Sequence, residues 1–220
     1  MGKQKLYFIA GSQDKGPDAK SLGPSGLLRV LREALQAGID YFQFRDKGDG
    51  SLEERLDEQK ELARACQELC QLYRVPFIVN DSLDLALELN SDGIHVGQSD
   101  QPIDEVLAAM ASNKIVGLTV SNEELINQYQ YQPGLSYLGL GPVFPTKSKE
   151  KKSGFLGIAG LTETFKRNYA LPIYAIAGID ESNSQSVLQT GVDGICVISA
   201  ICQSQNIAQT IMNLKGRPPN

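Results

Sequence analysis

Short apolar runs alternate along the chain with longer, more polar stretches. The apolar runs are rich in β-branched and aromatic residues, which is typical of buried strands, and the stretches between them carry helix start signals. Strand and helix in regular alternation predict a parallel sheet whose strands are joined by crossover helices. The eight predicted strands span residues 6–11, 41–47, 76–81, 93–97, 115–120, 137–144, 172–179 and 194–201.

The ends of the intervening segments support this alternation. Pro24 lies near a predicted first turn and Pro102 at a predicted first helical position, while 51–54 and 121–124 have the Ser-x-x-Glu pattern of a capping box. At the other end, four segments share one junction, a glycine or asparagine followed two residues later by a short polar residue. Such a pair ends a helix in a left-handed conformation and turns the chain. The four junctions are 38–40, 90–92, 134–136 and 191–193.

Eight strand–helix units can close into a barrel or form an open doubly wound sheet. An open nucleotide-binding sheet would carry Gly-x-Gly-x-x-Gly after its first strand, and this chain has no such motif there. We therefore predict an α/β fold, a single (β/α)8 TIM barrel over residues 1–220 with no separate second domain. Functional residues are then expected where the strands end.

Composition narrows the possible partners and location. The net charge is −5 and the pI about 5.0, so no general basic field exists to bind nucleic acid or an anionic membrane. The first apolar run is too short for a secretory signal, and no stretch approaches the ~20 apolar residues of a membrane span. We expect a cytoplasmic protein that binds phosphorylated small molecules. The sequence does not decide the oligomeric state, and a homo-oligomer is one of the options.

Cysteine and histidine usage limits the chemistry further. The cysteines lie within apolar segments without Cys-x-x-Cys spacing, which favours buried free thiols over a metal site or a disulfide. With His95 as the only histidine, a histidine-rich metal centre is excluded and a serine–histidine–aspartate triad is disfavoured. Carboxylates, lysines, hydroxyls and backbone amides must carry any chemistry. The four cysteines are Cys66, Cys70, Cys196 and Cys202.

The second predicted strand has a row of polar side chains. A period of two places Gln43, Arg45 and Lys47 on one face and Phe42 and Phe44 on the other. If the phenylalanines pack outward against helices, the polar row lines the barrel interior over roughly 13 Å. Such a row suits an elongated anion, whereas a solvated edge strand is the alternative.

Two aspartates follow neighbouring strands. Asp81 ends the third predicted strand and Asp100 follows the fourth, so their carboxylates are expected near each other and could hold Mg²⁺ together with a bound diphosphate. Each aspartate could instead cap a helix, Asp81 the helix at 82–89 and Asp100 the helix near Pro102. Together with the polar row, the pair favours the metal.

The later strands end in hydroxyl and glycine residues. Thr119 is a hydroxyl in an apolar run, and the sixth strand leads into a basic loop in which Thr146, Ser148 and Lys149 are nearest the strand end. Gly178 would let the backbone after the seventh strand approach a phosphate, and Ser199 adds a hydroxyl after the eighth. These residues predict a second anion site.

Motifs at six strand ends resemble the thiamine-phosphate synthase family, also called thiamine-phosphate pyrophosphorylases, in order along nearly the whole chain. The family joins 4-amino-5-hydroxymethyl-2-methylpyrimidine diphosphate to a thiazole phosphate, forming thiamine phosphate and pyrophosphate. The matching motifs are Gln-Phe-Arg-Asp-Lys at 43–47, Asn-Asp at 80–81, His-Val-Gly-Gln-Ser-Asp at 95–100, Gly-Pro-Val-Phe-Pro-Thr at 141–146, Ala-Ile-Ala-Gly-Ile at 175–179 and Ile-Ser at 198–199.

The resemblance implies a role for each matching residue. Asp81 and Asp100 would bind Mg²⁺, and Arg45, Lys47 and Lys149 would assist departure of pyrophosphate, leaving a pyrimidine-stabilised cation that the thiazole nitrogen captures. No protein nucleophile is required. The pyrimidine diphosphate would contact Gln43, Phe44, Arg45, Asp46, Lys47, Asn80, Thr119 and Lys149. The thiazole phosphate would contact Thr146, Lys147, Ser148, Gly178, Ile198 and Ser199.

Three positions depart from the family's usual residues. Thr119 replaces a serine and Ser148 a threonine, which keeps a hydroxyl at both positions, whereas Ala177 replaces a common second glycine. The added methyl of Ala177 would tighten the loop expected to hold the thiazole phosphate.

Three other functions compete with the synthase. A related barrel isomerises a thiazole carboxylate phosphate with a histidine two residues beyond the strand-five hydroxyl, and here that position is Ser121. A Schiff-base aldolase would use Lys47 or Lys149 as the amine. A ligand-binding or regulatory barrel would bind phosphate without turnover.

Overall fold

A computed structural model describes residues 4–146 and 154–216, in which eight parallel strands close into a barrel in chain order. The predicted (β/α)8 barrel is confirmed. The strands are β1 (Lys5–Ala10), β2 (Tyr41–Phe44), β3 (Phe77–Asn80), β4 (Gly93–Val96), β5 (Ile115–Val120), β6 (Tyr137–Leu140), β7 (Ile173–Ile176) and β8 (Gly194–Val197). The helices are α1 (Gly23–Ala37), α2 (Leu56–Tyr73), α3 (Leu83–Glu88), α4 (Ile103–Ala109), α5 (Glu123–Tyr129), α6 (Gly157–Thr164), α7 (Ser184–Gln189), α8 (Ser199–Cys202) and α9 (Ile207–Leu214).

The strands separate two apolar layers. The larger layer lies between the strands and the helices and includes Phe42 and Phe44, both buried. The smaller layer fills the barrel interior around Tyr7, Ile78 and Tyr137. Alternation along β2 is therefore as predicted over 42–44, with Gln43 pointing inward.

The four predicted helix-to-strand junctions are all present. Each begins with a residue of positive φ, namely Gly38, Asn90, Gly134 and Gly191. In each, the short polar residue bonds twice to one residue of a neighbouring strand. The Asp92 amide donates to the Phe77 carbonyl (3.1 Å), and the Asp92 carboxylate accepts the Phe77 amide (2.9 Å). The corresponding pairs are Asp40 with Leu6, Ser136 with Val116 and Asp193 with Ile173.

At the first junction, Asp40 also links the end of α9 to the barrel. Lys215 follows α9 and places its Nζ 2.8 Å from Asp40 Oδ2, while also donating to the Gly38 carbonyl. Partial burial raises the pKa of the Asp40 carboxyl, but hydrogen bonds from Lys215 and the Leu6 amide outweigh this and hold the pKa below its ordinary value.

Asp40→Asn should therefore reduce stability in a pH-dependent way. Because the folded-state pKa is lowered, the carboxylate stabilises the fold above the unfolded-state pKa of about 3.9 and loses that effect as pH falls through the folded-state value. We expect a loss of about 1–2 kcal/mol at pH 7, measured by urea unfolding. The difference in unfolding free energy between variant and native protein should disappear in acid. A difference that does not depend on pH would show that the Asp40 charge is not its cause.

Several predicted helix starts are displaced. Residues 51–54 do not form a capping box, because α2 begins later, at Leu56, without a side-chain cap. At α5 the cap is Asn122 rather than Ser121, accepting the Leu125 amide at 2.9 Å. Pro102 precedes the first residue of α4 instead of occupying it. Of these three helices only α5 has a side-chain cap, so the start of a helix does not depend on the capping residue alone.

The four cysteines are free thiols and all are buried, as predicted. Across 4–146 and 154–216, no helix has both the length and the apolar character to cross a membrane.

Candidate active site

β2 ends earlier than predicted. The strand stops at Phe44 rather than at 47, so Arg45 and Lys47 belong to the following loop. The Arg45 amide still donates to the Ala10 carbonyl at 2.9 Å, so the bonding to β1 continues one residue past the strand. Gln43 lies in the interior, whereas Lys47 reaches over the ends of β3 and β4. That Arg45 and Lys47 share a face with Gln43 stays a prediction.

Asp46 anchors the loop that follows β2. One carboxylate oxygen accepts the Ser12 amide (2.7 Å) and hydroxyl (2.5 Å), and the other accepts the Leu52 amide (2.8 Å) and Gln59 Nε2 (3.2 Å). Asp46 is 6% exposed. Asp46, which was predicted to contact substrate, thus uses both carboxylate oxygens to accept hydrogen bonds from the protein itself. These bonds fix the loop that carries Lys47.

Lys47 meets both predicted metal ligands. Its Nζ lies 2.7 Å from Asp81 Oδ2 and 3.8 Å from Asp100 Oδ1. Neither aspartate caps a helix, since Ser82 caps α3 and Asp100 accepts the Gly97 amide at 2.8 Å. Asp81 has a φ of 61°, a left-handed conformation, and its carboxylate interacts with that of Asp100.

Charges of both signs meet in this cluster. Burial raises the pKa of Asp81, the hydrogen bond from Lys47 lowers it and the neighbouring Asp100 raises it again, with a net increase. The hydrogen bond to Asp81 raises the pKa of Lys47 and outweighs the opposing charge of Arg45, so the amine stays protonated. The Lys47 ammonium thus lies between two carboxylates that repel each other.

Two carboxylates suit one particular kind of metal site. Among the described residues, no group of three or more histidine, cysteine, aspartate or glutamate side chains is placed to hold a metal ion. Mg²⁺ typically takes one or two protein carboxylates and completes its octahedron with water and substrate phosphate. The oxygen donors of Asp81 and Asp100 fit Mg²⁺ on those terms.

A cavity of about 330 Å³ opens beside this cluster. Its lining includes Phe44, Lys47, Asn80, Asp81 and Asp100. The cavity therefore brings together the predicted diphosphate and metal residues of β2, β3 and β4. Gln43 and Thr119 lie deeper, within the barrel interior.

The ends of β6, β7 and β8 form the other half of the rim. Gly178 has a φ of 66°, and a Cβ there would lie 2.6 Å from Pro145 O, so only glycine fits. The Phe144 amide donates to the Ala177 carbonyl (3.1 Å), which holds the loop after β6 against β7. Across the gap to β8, Ile198 precedes α8 and the exposed Ser199 is its first residue.

Thr146 is partly exposed at the end of the described part of this loop. Lys147, Ser148 and Lys149 lie outside the described residues, so their assigned roles stay predictions.

Ala177 has a φ of 84°, where a side chain is disfavoured. Ala177→Gly should remove that strain, which costs about 1–2 kcal/mol for an L-residue. Part of this gain is offset because glycine gives the unfolded chain more conformational entropy. We expect unfolding free energy to rise by up to about 1 kcal/mol. The control is Ala175→Gly, a substitution within β7, and thermal unfolding of both variants measures the change. An equal loss of stability in the two variants would show that Ala177 is not strained.

One feature of the interior was missed from sequence. Gln43, Tyr7, Tyr137, His95 and Thr119 form a hydrogen-bonded chain that joins two predicted pyrimidine contacts. The alternation used for β2, applied to β1 and β6, would have placed both tyrosines inward.

The closed (β/α)8 barrel has a rim with two halves. One half carries two carboxylates and a lysine, and the other carries glycine and hydroxyl residues. These features define a class of barrel suited to phosphorylated ligands. The match to a family model described as thiamine monophosphate synthase covers residues 6–201, and the chain belongs to that family. The predicted family and the predicted enzyme are confirmed.

Individual relatives agree with this assignment. The chain is 45% identical to a thiamine-phosphate synthase of Listeria monocytogenes over 96% of this chain and 94% of that protein. It is 46% identical to one from Latilactobacillus sakei, over 96% and 90% of the two chains. The structure of a thiamine phosphate pyrophosphorylase from Pyrococcus furiosus matches with a TM-score of 0.78 at 31% identity, covering 97% of this chain and 95% of that one.

Proposed function

We propose that the chain acts as a thiamine-phosphate synthase, a transferase that condenses 4-amino-5-hydroxymethyl-2-methylpyrimidine diphosphate with a thiazole phosphate or its carboxylate. The observation that carries the proposal is the contact of Lys47 with Asp81 and Asp100 at the ends of three adjacent strands. An ammonium beside a carboxylate pair can turn to a diphosphate oxygen when a divalent cation takes over the carboxylates.

Mg²⁺ is the proposed cofactor, held by Asp81 and Asp100. When bound, it would supply positive charge that stabilises the negative charge developing on a leaving diphosphate. Arg45 and Asn80 lie beside these residues in sequence and would complete the binding of the diphosphate, with Lys149 as the further predicted cation.

The proposed reaction breaks the bond between the pyrimidine methylene carbon and the diphosphate oxygen. The bonding electrons leave with pyrophosphate, whose charge Lys47 stabilises through its Nζ. The thiazole nitrogen then donates its lone pair to the methylene carbon, forming the new C–N bond. Gln43 and Thr119 would orient the pyrimidine from the barrel interior, so no protein side chain needs to accept a covalent bond.

The second phosphate would lie at the ends of β6, β7 and β8. Gly178 lets the backbone approach closely there, while Thr146 and Ser199 supply hydroxyl groups. Ile198, which directly precedes α8, would contribute through its backbone. In this proposal the two anions would lie on opposite sides of the barrel mouth, with the reacting carbon and nitrogen between them.

A Schiff-base role for Lys47 is disfavoured by the same contacts. An amine nucleophile must lose its proton, yet the hydrogen bond to Asp81 raises the pKa of Lys47. The net charge of −5 argues against nucleic acid or an anionic membrane as a partner, and the buried thiols favour a reducing compartment such as the cytoplasm. The residues of the proposed site all come from one chain, which is compatible with a homo-oligomer.

The decisive experiment supplies both substrates with Mg²⁺ and measures thiamine phosphate together with pyrophosphate. We expect the two products in equal amounts, and none after removal of Mg²⁺ with a chelator. Tight binding of both substrates without any product would instead indicate a binding protein and refute the synthase.

A further inference from the structure

A continuous chain of polar side chains crosses the barrel interior. Gln43 Nε2 donates to the Tyr7 hydroxyl at 3.0 Å, and that hydroxyl lies 2.9 Å from the hydroxyl of Tyr137. Tyr137 in turn lies 2.9 Å from His95 Nδ1. On the far side of the ring, His95 Nε2 lies 2.7 Å from Thr119 Oγ1. Five side chains from five strands therefore join Gln43 to Thr119.

The proton count of the phenols permits one continuous direction along this chain. Each phenol has one proton and can accept two hydrogen bonds. Tyr7 accepts the amide proton of Gln43, its own proton can go to Tyr137, and Tyr137 can then donate to His95 Nδ1. In that direction His95 carries its proton on Nε2 and donates it to Thr119. Burial raises the pKa of both Tyr7 and Tyr137, so neither phenol ionises near neutral pH.

The packing around His95 preserves these contacts. The rings of His95 and Tyr137 stack with centroids 5.5 Å apart at 18°. Gly117 makes room for them, since a Cβ there would overlap the Tyr137 hydroxyl group and lie 2.6 Å from His95 Nδ1. The hydrogen bond from Tyr137 to His95 therefore depends on glycine at this position of β5.

We propose that Tyr7, Tyr137 and His95 are positioning residues that fix the direction of hydrogen bonding inside the barrel, so that Thr119 uses its oxygen on His95 and presents its proton to the substrate. Thr119 would then recognise a hydrogen-bond acceptor, such as a ring nitrogen of the pyrimidine. The identity of that ligand rests on the proposed function, whereas the tautomer of His95 can be tested without any substrate.

The only histidine of the chain makes the tautomer directly measurable. Protein labelled with ¹⁵N-histidine gives the two ring nitrogens of His95 alone, and long-range ¹H–¹⁵N correlation shows which one bears the proton. We expect a neutral ring with its proton on Nε2 at pH 7. A ring protonated on Nδ1 would reverse the direction and overturn the proposal.

Two matched variants test the link to substrate. Tyr137→Phe removes the donor to His95, whereas Tyr174→Phe removes a hydroxyl from the adjoining ring, 5.1 Å away, whose hydroxyl bonds Tyr41. We expect Tyr137→Phe to mix the tautomers and raise KM for the pyrimidine diphosphate about tenfold, the effect of one hydrogen bond. KM for the thiazole phosphate should not change.

Tyr174→Phe should leave the tautomer and both KM values unchanged; equal effects in the two variants would overturn the proposal. If Tyr137→Phe fails to fold, the tautomer of the native protein still decides. Native protein that makes thiamine phosphate with an Nδ1 proton would refute this inference alone. An Nε2 proton without turnover would refute only the synthase.

Discussion

Asp81→Asn should lower kcat/KM for the pyrimidine diphosphate by about a thousandfold, the usual scale for losing one charged group that stabilises a leaving anion. The reason is twofold. An amide is a poor ligand for Mg²⁺, and the Lys47 ammonium loses the carboxylate 2.7 Å away that orients it. Higher Mg²⁺ should restore part of the activity. The measurement is pyrophosphate release over a Mg²⁺ titration.

Asp84→Asn is the matched control. Asp84 lies three residues further on, in the first turn of α3, and is exposed. It should keep native kcat/KM and native Mg²⁺ dependence. If Asp81→Asn retained both as well, Asp81 would bind no catalytic metal and the site would need reassignment.

The second large effect concerns stability. Gly117→Ala should lower the free energy of unfolding by about 3 kcal/mol, because the new methyl overlaps Tyr137 and separates two buried hydrogen-bonding partners. For a chain of this length that corresponds to a fall in Tm of roughly 6–12 °C. Calorimetry measures the change, and a normal Tm would mean that the interior can rearrange freely.

Gly139→Ala supplies the comparison, since Gly139 lies in the neighbouring strand and adjoins the same imidazole. A Cβ there would lie 3.4 Å from His95 Cε1, an ordinary contact. We expect a change in unfolding free energy within about 0.5 kcal/mol. The difference between Gly117→Ala and Gly139→Ala therefore measures the effect of crowding Tyr137, apart from the general effect of adding a methyl group to a strand.

Local pattern was sufficient for the architecture and for part of the site. Alternation placed Phe42, Gln43 and Phe44 correctly, because the period of a strand decides which face each residue takes. Asp81 and Asp100 could be paired because consecutive parallel strands end at the same edge. These conclusions need only neighbours along the chain or in the sheet.

What the pattern missed depends on contacts between distant segments. The loop after Phe44 is held by hydrogen bonds that Asp46 accepts from Ser12, Leu52 and Gln59, and no local signal marks Asp46 for that role. The interior chain from Gln43 to Thr119 likewise requires the closed ring, which alone brings His95 against Tyr137. The sequence analysis used His95 only to limit the possible chemistry, because no local signal links it to Tyr137, 42 residues away.

The shared junctions at Asp40, Asp92, Ser136 and Asp193 lie where helices lead into strands, at the end of the barrel opposite the proposed chemistry. These four residues therefore contribute to the free energy of folding without contacting the proposed site. Mutations there can weaken or strengthen the protein while kcat stays constant. The stability of the barrel can in this way be tuned at one end while the substrate contacts at the other end stay unchanged.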